Sequence, residues 1–219
     1  MASNSEMGSA DFESLLSTSD VELLKRAWRN EKAAPEILPY QGDLVERAKG
    51  QIELVEGNIE DYVEDGIDPL VVSLYQMDLD RTQFLLRSYL RVRLLKIEKF
   101  MFHILKSEEA ESRLSEQEKA FARRCAADLT KHFEESVLLK LPENYQTVQK
   151  QSLISDEDDM VPEPNLDTFV VCRSKNSLKL NLYEEGETPV ILDLDRGEPS
   201  FVRYRAVKRA FESGEVELI

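Results

Sequence analysis

The residues of this chain that could do acid–base chemistry are few and poorly arranged for it. Asp193 and Asp195 are two apart in a strand-like run, so both carboxylates lie on one face and form the best available pair. Asp78 and Asp80 have the same spacing in a helical run, where the two side chains point in different directions. Carboxylates on a strand face are ordinarily just solvated, and no phosphate loop, GxSxG or HExxH accompanies them. We therefore predict that the chain is not an enzyme.

Histidines and cysteines are equally sparse. His103 and His132 have no cysteine or carboxylate at a spacing typical of a metal site, and His103 suits the end of a long helix. Cys125 and Cys172 lie outside any CxxC pattern, so we interpret them as two small buried side chains in a reducing compartment. We predict neither a metal nor a cofactor.

The feature that stands out is a cationic segment, 87-RSYLRVRLLKIEKF-100, in a chain of 219 residues with a formal net charge of −15. Residues 1–80 carry 18 acidic and 6 basic side chains, whereas residues 81–106 carry 7 basic side chains and one acid, Glu98. If the segment is helical, none of its five cations has a carboxylate three or four residues away. Their counter-ions must come from other helices, another chain or phosphate.

The direction of these charges separates the alternatives. At about 100° per residue from Arg87, they lie at roughly 40° (Arg91), 120° (Lys99), 180° (Lys96) and 240° (Arg93). A helix that binds duplex DNA usually gathers its cations on one exposed face. The scatter favours ion pairs at helix–helix contacts, either within the chain, with the acidic helix at 43–64 as supplier, or with a partner subunit. A nucleic-acid-binding module that uses helix 87–100 remains the alternative, although direct DNA contact is not expected to be primary.

Hydrophobic periodicity predicts the helices that carry these residues. A capping box at Ser19–Glu22 starts the first helix, which carries Trp28 as a core anchor and ends before Pro35. The second runs from about 43 to 64. From Pro69 to Lys106 neither glycine nor another proline occurs, which predicts one helix of 38 residues and roughly 57 Å. After a charged break at 107–113, a capping box at Ser115–Glu118 opens a last helix that ends by Pro142.

The second part of the chain has strand periodicity. We predict strands at 167–173, 177–183, 189–195, 201–207 and 214–219, with turns at Gly186 and Gly197. The predicted class is α+β: an N-terminal all-helical bundle domain with one very long helix, then a small β-rich domain. The predicted boundaries are a mobile tail at 1–18, a helical domain at 19–141, an acidic, proline-containing linker at 142–165 and the β-rich domain at 166–219.

No apolar run approaches the roughly 20 residues that cross a bilayer, and MASNSEMGSA lacks the apolar core of a signal peptide. We therefore expect a soluble intracellular protein without membrane contact.

Several segments resemble a known family in order along the chain from about Ser19 to Ile219. They are 27-AWRNEKAAPEILPY-40, 76-QMDLDRTQFLLRSYLRVRLLKIEKF-100, 114-LSEQEKAFA-122, 164-PNLDTFVVCR-173 and 202-VRYRAVKRAFESGEVELI-219. Together they are similar to the Sld-five subunit family of the eukaryotic GINS complex. The blocks around Trp28 and Ser88–Phe100 are the most specific.

The resemblance implies a non-enzymatic nuclear subunit of a heterotetramer with three Psf-type subunits. That complex joins the MCM helicase ring and a DHH-superfamily partner in the replicative helicase, acts in initiation and elongation of DNA replication, and supports recruitment of replicative polymerases. On this basis we predict a subunit interface formed by Arg87, Tyr89, Arg91, Arg93, Lys96, Lys99, Phe100, Phe121, Phe133, Leu218 and Ile219.

The tail contains an apolar, acidic box, 11-DFESLLSTSD-20. It resembles short peptides that dock onto a trimeric replisome hub. Phe12, Leu15 and Leu16 would make that contact, and a tail with incidental hydrophobic residues is the alternative.

Overall fold

Six α-helices and five strands make up the described chain, which in this computed structural model comprises residues 19–154, 157–182 and 190–219. The helices are α1 (Asp20–Ala33), α2 (Gly42–Glu64), α3 (Pro69–Lys106), α4 (Glu108–Ser112), α5 (Glu116–Ser136) and α6 (Tyr204–Glu212). The strands are β1 (Phe169–Ser174), β2 (Leu178–Leu182), β3 (Val190–Leu194), β4 (Pro199–Arg203) and β5 (Val216–Leu218). The predicted α+β class, with one very long helix before a small sheet region, is confirmed.

Capping residues mark the starts of α1 and α5, as the sequence predicts. Ser115 accepts a hydrogen bond from the Glu118 backbone N–H, and the Glu118 carboxylate accepts one from the Ser115 backbone N–H, which is the predicted capping box. At the start of α1, the Ser19 hydroxyl accepts from the Glu22 backbone N–H at 3.3 Å. Helix α3 has the predicted bounds, and its backbone leaves helical geometry at Phe100 (φ −114°, ψ 18°).

The described chain divides into two compact units, and the division does not follow the predicted boundary at 141/142. The first comprises residues up to 29 and residues 41–90; the second comprises residues 30–40 and residues 91–219. Both α1 and α3 contribute to each unit.

In the first unit, buried apolar side chains come from three helices. They are Leu24 of α1, Leu44, Val45, Ala48 and Ile59 of α2, and Leu79, Leu85, Leu86 and Tyr89 of α3. Val45, Ala48 and Ile59 lie on one face of α2.

In the second unit, the sheet residues share a core with a short stretch after α1. An antiparallel sheet of order β4-β1-β5 places its inward side chains, Val170, Cys172, Val202 and Leu218, together with Ala34, Leu38 and the α6 residues Tyr204 and Val207. A separate β2-β3 hairpin adds Leu194 to this core. A second cluster joins Ile37, Ile97, Phe100, Ile104, Leu114 and Ala122.

The prediction of a strand at 201–207 is wrong in its second half. The strand β4 ends at Arg203, and Tyr204–Glu212 is helical. Tyr204, Val207 and Ala210 recur every three residues and bury one helical face, a spacing that the alternating text FVRYRAV conceals. The break at 107–113 also contains the short helix α4, capped by Ser107.

Candidate interaction site

The cationic segment of α3 holds a buried ionic cluster, which consists of Arg93, Lys96, Glu31 and Glu118. Arg93 is 0% exposed and Glu31 only 1%. The guanidinium donates from Nε to Glu118 Oε1 at 2.7 Å and from NH1 to Glu31 Oε2 at 2.9 Å. One end of α1 and the start of α5 are thereby tied to the middle of α3.

Backbone carbonyls complete the cluster. Arg93 donates from NH1 to the Leu38 carbonyl at 2.7 Å and from NH2 to the Arg113 carbonyl at 3.1 Å. Lys96 donates from Nζ to Glu31 Oε1 and to the Glu36 carbonyl, both at 2.8 Å, and also to the Glu31 carbonyl. Burial lowers the pKa of Lys96 below its ordinary value, and the nearby Glu31 carboxylate opposes that shift.

The interpretation of these cations as helix-to-helix ion-pairing groups is therefore correct for Arg93 and Lys96, but the predicted supplier is wrong. The carboxylates that pair with them are Glu31 and Glu118, and neither belongs to the acidic helix at 43–64. The sequence indicated Glu118 only as a capping residue of α5. Glu31 lies 62 residues from Arg93, and the only sequence signal for their contact was the lack of partners within α3.

A second ionic cluster links the same stretch to the sheet region. The Glu36 carboxylate accepts from the Tyr204 hydroxyl and from Lys208 Nζ, each at 2.9 Å, and pairs with Arg113 at 2.9 Å. Burial alone would raise the pKa of Glu36, but Lys208 and Arg113 outweigh it, so that pKa lies below its ordinary value. No residue of this cluster was among the predicted site residues.

Four of the predicted interface residues are buried within the chain: Tyr89, Arg93, Phe100 and Leu218, at 1%, 0%, 6% and 2% exposure. The Tyr89 hydroxyl accepts from the Gln41 backbone N–H at 3.3 Å, and Leu218 lies in the sheet core. Within this chain these four side chains have little surface left for a partner, so burial gives no support to their predicted role in an interface.

The other predicted interface residues retain surface. Lys96 keeps 12% of its side chain exposed, Phe121 is half-buried against the Ile97 cluster, and Phe133 and Ile219 are 39% and 44% exposed. Arg87, Arg91 and Lys99 are exposed. Trp28, predicted as a core anchor, is half-buried, and Phe12, Leu15 and Leu16 lie outside the described residues.

Large apolar side chains are exposed along one line of α3. In its first half these are Leu70, Leu74, Met77 and Phe84, at 66%, 58%, 65% and 60% exposure. The spacings of four, three and seven residues put all four on one face, which we call the exposed α3 stripe. After α5, the run Val137, Leu139 and Leu141 is also exposed, at 47%, 72% and 39%.

No group of three or more potential metal ligands occurs in the part of the chain that the structure describes. Asp193 is exposed and faces Lys179 at 3.7 Å across the β2-β3 hairpin. No described helix combines the length and apolar character that crossing a membrane requires.

Two family profiles match the chain, and each covers one of the regions described above. The profile described as "GINS complex protein helical bundle domain" matches residues 58–137. The profile described as "DNA replication complex GINS protein SLD5 C-terminus" matches residues 164–219. The helical match thus spans α3 to α5, and the second match spans the sheet with α6.

Curated relatives carry the same description, "DNA replication complex GINS protein SLD5". The protein of Arabidopsis thaliana is 78% identical over 220 residues, which cover 100% of both chains. The Homo sapiens protein is 35% identical over 207 residues, 91% of this chain and 88% of its own. The Xenopus laevis protein is 34% identical over 224 residues, 98% and 97% of the two chains.

Proposed function

The chain belongs to the SLD5 family of GINS complex proteins, and we propose that it is a non-catalytic structural subunit of a GINS heterotetramer. Its partners in that complex are three Psf-type subunits. The complex acts in the nucleus with the MCM helicase ring and a DHH-superfamily partner, as a part of the replicative helicase in initiation and elongation of DNA replication. The relatives, each described as a DNA replication complex GINS protein, support this assignment.

The observation that carries the proposal is the exposed α3 stripe. Each of its side chains is at least 58% exposed, although burying a Leu, Met or Phe stabilises by about 1.5–3 kcal/mol. A helix of 38 residues with an uncovered apolar face is typical of a helix that another chain covers. The exposed residues Val137, Leu139 and Leu141 extend the same reasoning to the end of α5.

The non-catalytic part of the proposal is supported by what the candidate acidic residues do. Asp193 is exposed and lies 3.7 Å from Lys179, and no group of three or more potential metal ligands occurs among the described residues. The ionic clusters around Glu31 and Glu36 are occupied by their own lysines and arginines, so their charges serve packing.

The alternative of a DNA-binding helix loses support from the placement of its cations. Arg93 is fully buried, and Lys96 keeps 12% of its side chain exposed. The remaining cations, Arg87, Arg91 and Lys99, are exposed and spread over about 120° of the helix. Replication-hub docking by Phe12, Leu15 and Leu16 stays part of the proposal, as does a link to replicative polymerases. Binding of residues 11–20 to a purified hub trimer, abolished by Leu15→Ala/Leu16→Ala, would support the hub contact.

Co-expression tests the main proposal. The chain alone is expected to aggregate or fold poorly, and to become soluble and run as one heterotetramer with its three partners in size-exclusion chromatography with light scattering. Leu74→Lys/Met77→Lys is expected to weaken assembly by at least about 100-fold, because two buried apolar side chains contribute about 3 kcal/mol or more.

Gln76→Lys is the control, since it also places a lysine between the two positions but on another face, where Asp80 can pair with it. The control should assemble like the wild type. A soluble monomer with a sharp melting transition, or a double variant that assembles normally, would contradict the proposal.

A further inference from the structure

The sheet β4-β1-β5 has one covered and one uncovered face. Its covered face holds Val170, Cys172 and Val202, each at most 6% exposed. The register pairs Val171 with Phe201 and Phe169 with Arg203, so these four side chains share the opposite face. Arg173 of β1 and Ile219, whose N–H donates to the Val171 carbonyl, belong to that face as well.

This outer face is apolar and carries a stacked aromatic pair. Phe201 is 68% exposed, Phe169 51%, Ile219 44% and Val171 39%. The rings of Phe169 and Phe201 stack at 4.9 Å between centroids, with 15° between their planes. Stacked aromatic side chains on neighbouring strands form a rigid platform, and rigid aromatic groups are the usual anchors of protein interfaces.

The charge of the face is positive. The Arg203 guanidinium lies 5.8 Å from the centre of the Phe169 ring, and Arg173 is exposed on the same face. The one carboxylate on this face, Glu217, lies 3.8 Å from Lys175. A positive apolar patch on a chain of net charge −15 complements a partner that presents apolar side chains flanked by carboxylates.

Nucleic acid fits this face less well. Single-stranded binders combine base-stacking rings with a groove of cations that follows the phosphates, and this face has two arginines. The exposed residues Asp195 and Glu198, which lead into β4, would repel a phosphate chain at its edge. Four apolar side chains against two arginines and one Lys175–Glu217 ion pair favour a protein surface.

We infer that the outer face of the sheet, centred on Phe169, Val171, Phe201 and Arg203, is a docking surface for a second subunit of the complex. That subunit presents apolar side chains onto the Phe169–Phe201 stack and a carboxylate to Arg203 or Arg173. The inference rests on the proposed function, and it adds a sheet-mediated contact to the helical contacts of the α3 stripe.

Cysteine labelling in the assembled complex tests whether the face is covered. Val171→Cys is placed in a Cys125→Ser background, where the remaining Cys172 is fully buried. Lys179→Cys, on the exposed side of β2, is the matched control. In a complex that elutes intact, Val171→Cys is expected to react with a maleimide at least tenfold more slowly than Lys179→Cys.

A zero-length cross-link tests the partner's chemistry and leaves the apolar face unchanged. Arg203→Lys, treated with a carbodiimide in the assembled complex, is expected to give a cross-link to an Asp or Glu of another subunit. Lys179, exposed on the hairpin, is the internal reference for non-specific reaction.

Equal labelling rates of Val171→Cys and Lys179→Cys in an intact heterotetramer would overturn the inference and leave the proposed function standing. Protection that appears only when a single-stranded oligonucleotide is added would also overturn it, in favour of nucleic acid. A wild-type chain that forms no heterotetramer would instead remove the proposed function itself, and the inference with it.

Discussion

Replacing Arg93 by methionine tests the buried ionic cluster most directly. The change keeps an unbranched side chain of similar length and removes the guanidinium, which makes five hydrogen bonds to two carboxylates and two carbonyls. Removing one partner of a buried ion pair costs more than the pair itself contributes, because the other charge stays buried without compensation.

The expected loss of stability depends on which hydrogen bonds the Glu31 and Glu118 carboxylates keep after the substitution. Glu31 retains Lys96 and a weak hydrogen bond from the Leu38 N–H at 3.5 Å, whereas among the described residues Glu118 retains the Ser115 N–H of its capping box alone. The carbonyls of Leu38 and Arg113 lose their guanidinium donors. We therefore expect Arg93→Met to lower the free energy of unfolding by about 3–5 kcal/mol, the range for breaking a buried pair.

The assay is urea unfolding of the co-expressed complex, followed by circular dichroism. Arg91→Met is the matched control, because Arg91 is an exposed cation on the same helix that makes no hydrogen bond or ion pair with any described residue. We expect the control to stay within about 0.5 kcal/mol of wild type. The triple variant Arg93→Met/Glu31→Met/Glu118→Met should recover much of the loss, since no buried charge is then left unpaired. An Arg93→Met complex as stable as the control would refute the reasoning.

Two further predictions concern a helix cap and a pH dependence. Ser115→Ala removes the capping box of α5 and should cost about 1 kcal/mol in the same urea assay, whereas Ser136→Ala, at the exposed end of that helix, should cost less; equal costs would contradict the capping argument. Glu36 has a folded-state pKa below its ordinary value of 4.5, so its carboxylate stabilises the fold above that pH, and the stabilisation is lost as the pH falls through the lowered folded-state pKa. Glu36→Gln should therefore lower the melting temperature of the complex at pH 7, and the gap to wild type should narrow below about pH 4.5. Glu46→Gln, at an exposed pair with Lys49, is the control, and a gap that widens on acidification would count against this account.

Signals that lie close together in the sequence predicted much of the fold. The Ser115–Glu118 box, the proline at residue 69 and the absence of helix breakers up to Lys106 set the bounds of α3 and the start of α5, because each acts over a few residues. The helix at Tyr204–Glu212 was missed because FVRYRAV alternates like a strand, and its buried face becomes visible only when Ala210 and Phe211 are included.

Contacts between distant residues were the part that the sequence could not supply. The lack of partners around Arg93 within α3 showed that its counter-ions had to be elsewhere, but any of the 43 acidic residues could have provided them. Choosing Glu31 and Glu118 requires the packing of α1 and α5 on α3, which depends on tertiary contacts. The stacking of Phe169 and Phe201 likewise needs the pairing of β1 with β4, across 32 residues of sequence.

The middle of α3 inverts the usual arrangement of a helix in a globular domain. Arg93 is 0% exposed, whereas the next two residues, Leu94 and Leu95, are 39% and 58% exposed. A buried ion pair is weak evidence for stability, but any arrangement of the helices that separated Arg93 from Glu31 and Glu118 would leave buried charges unpaired. The exposed leucines do not require one particular geometry, because apolar contacts are non-directional and burial against any apolar surface is favourable. The inward cluster therefore ties α1 and α5 to α3, whereas Leu94 and Leu95 keep 39% and 58% of their surface exposed among the described residues. Under the proposed function, a partner subunit would cover these outward leucines.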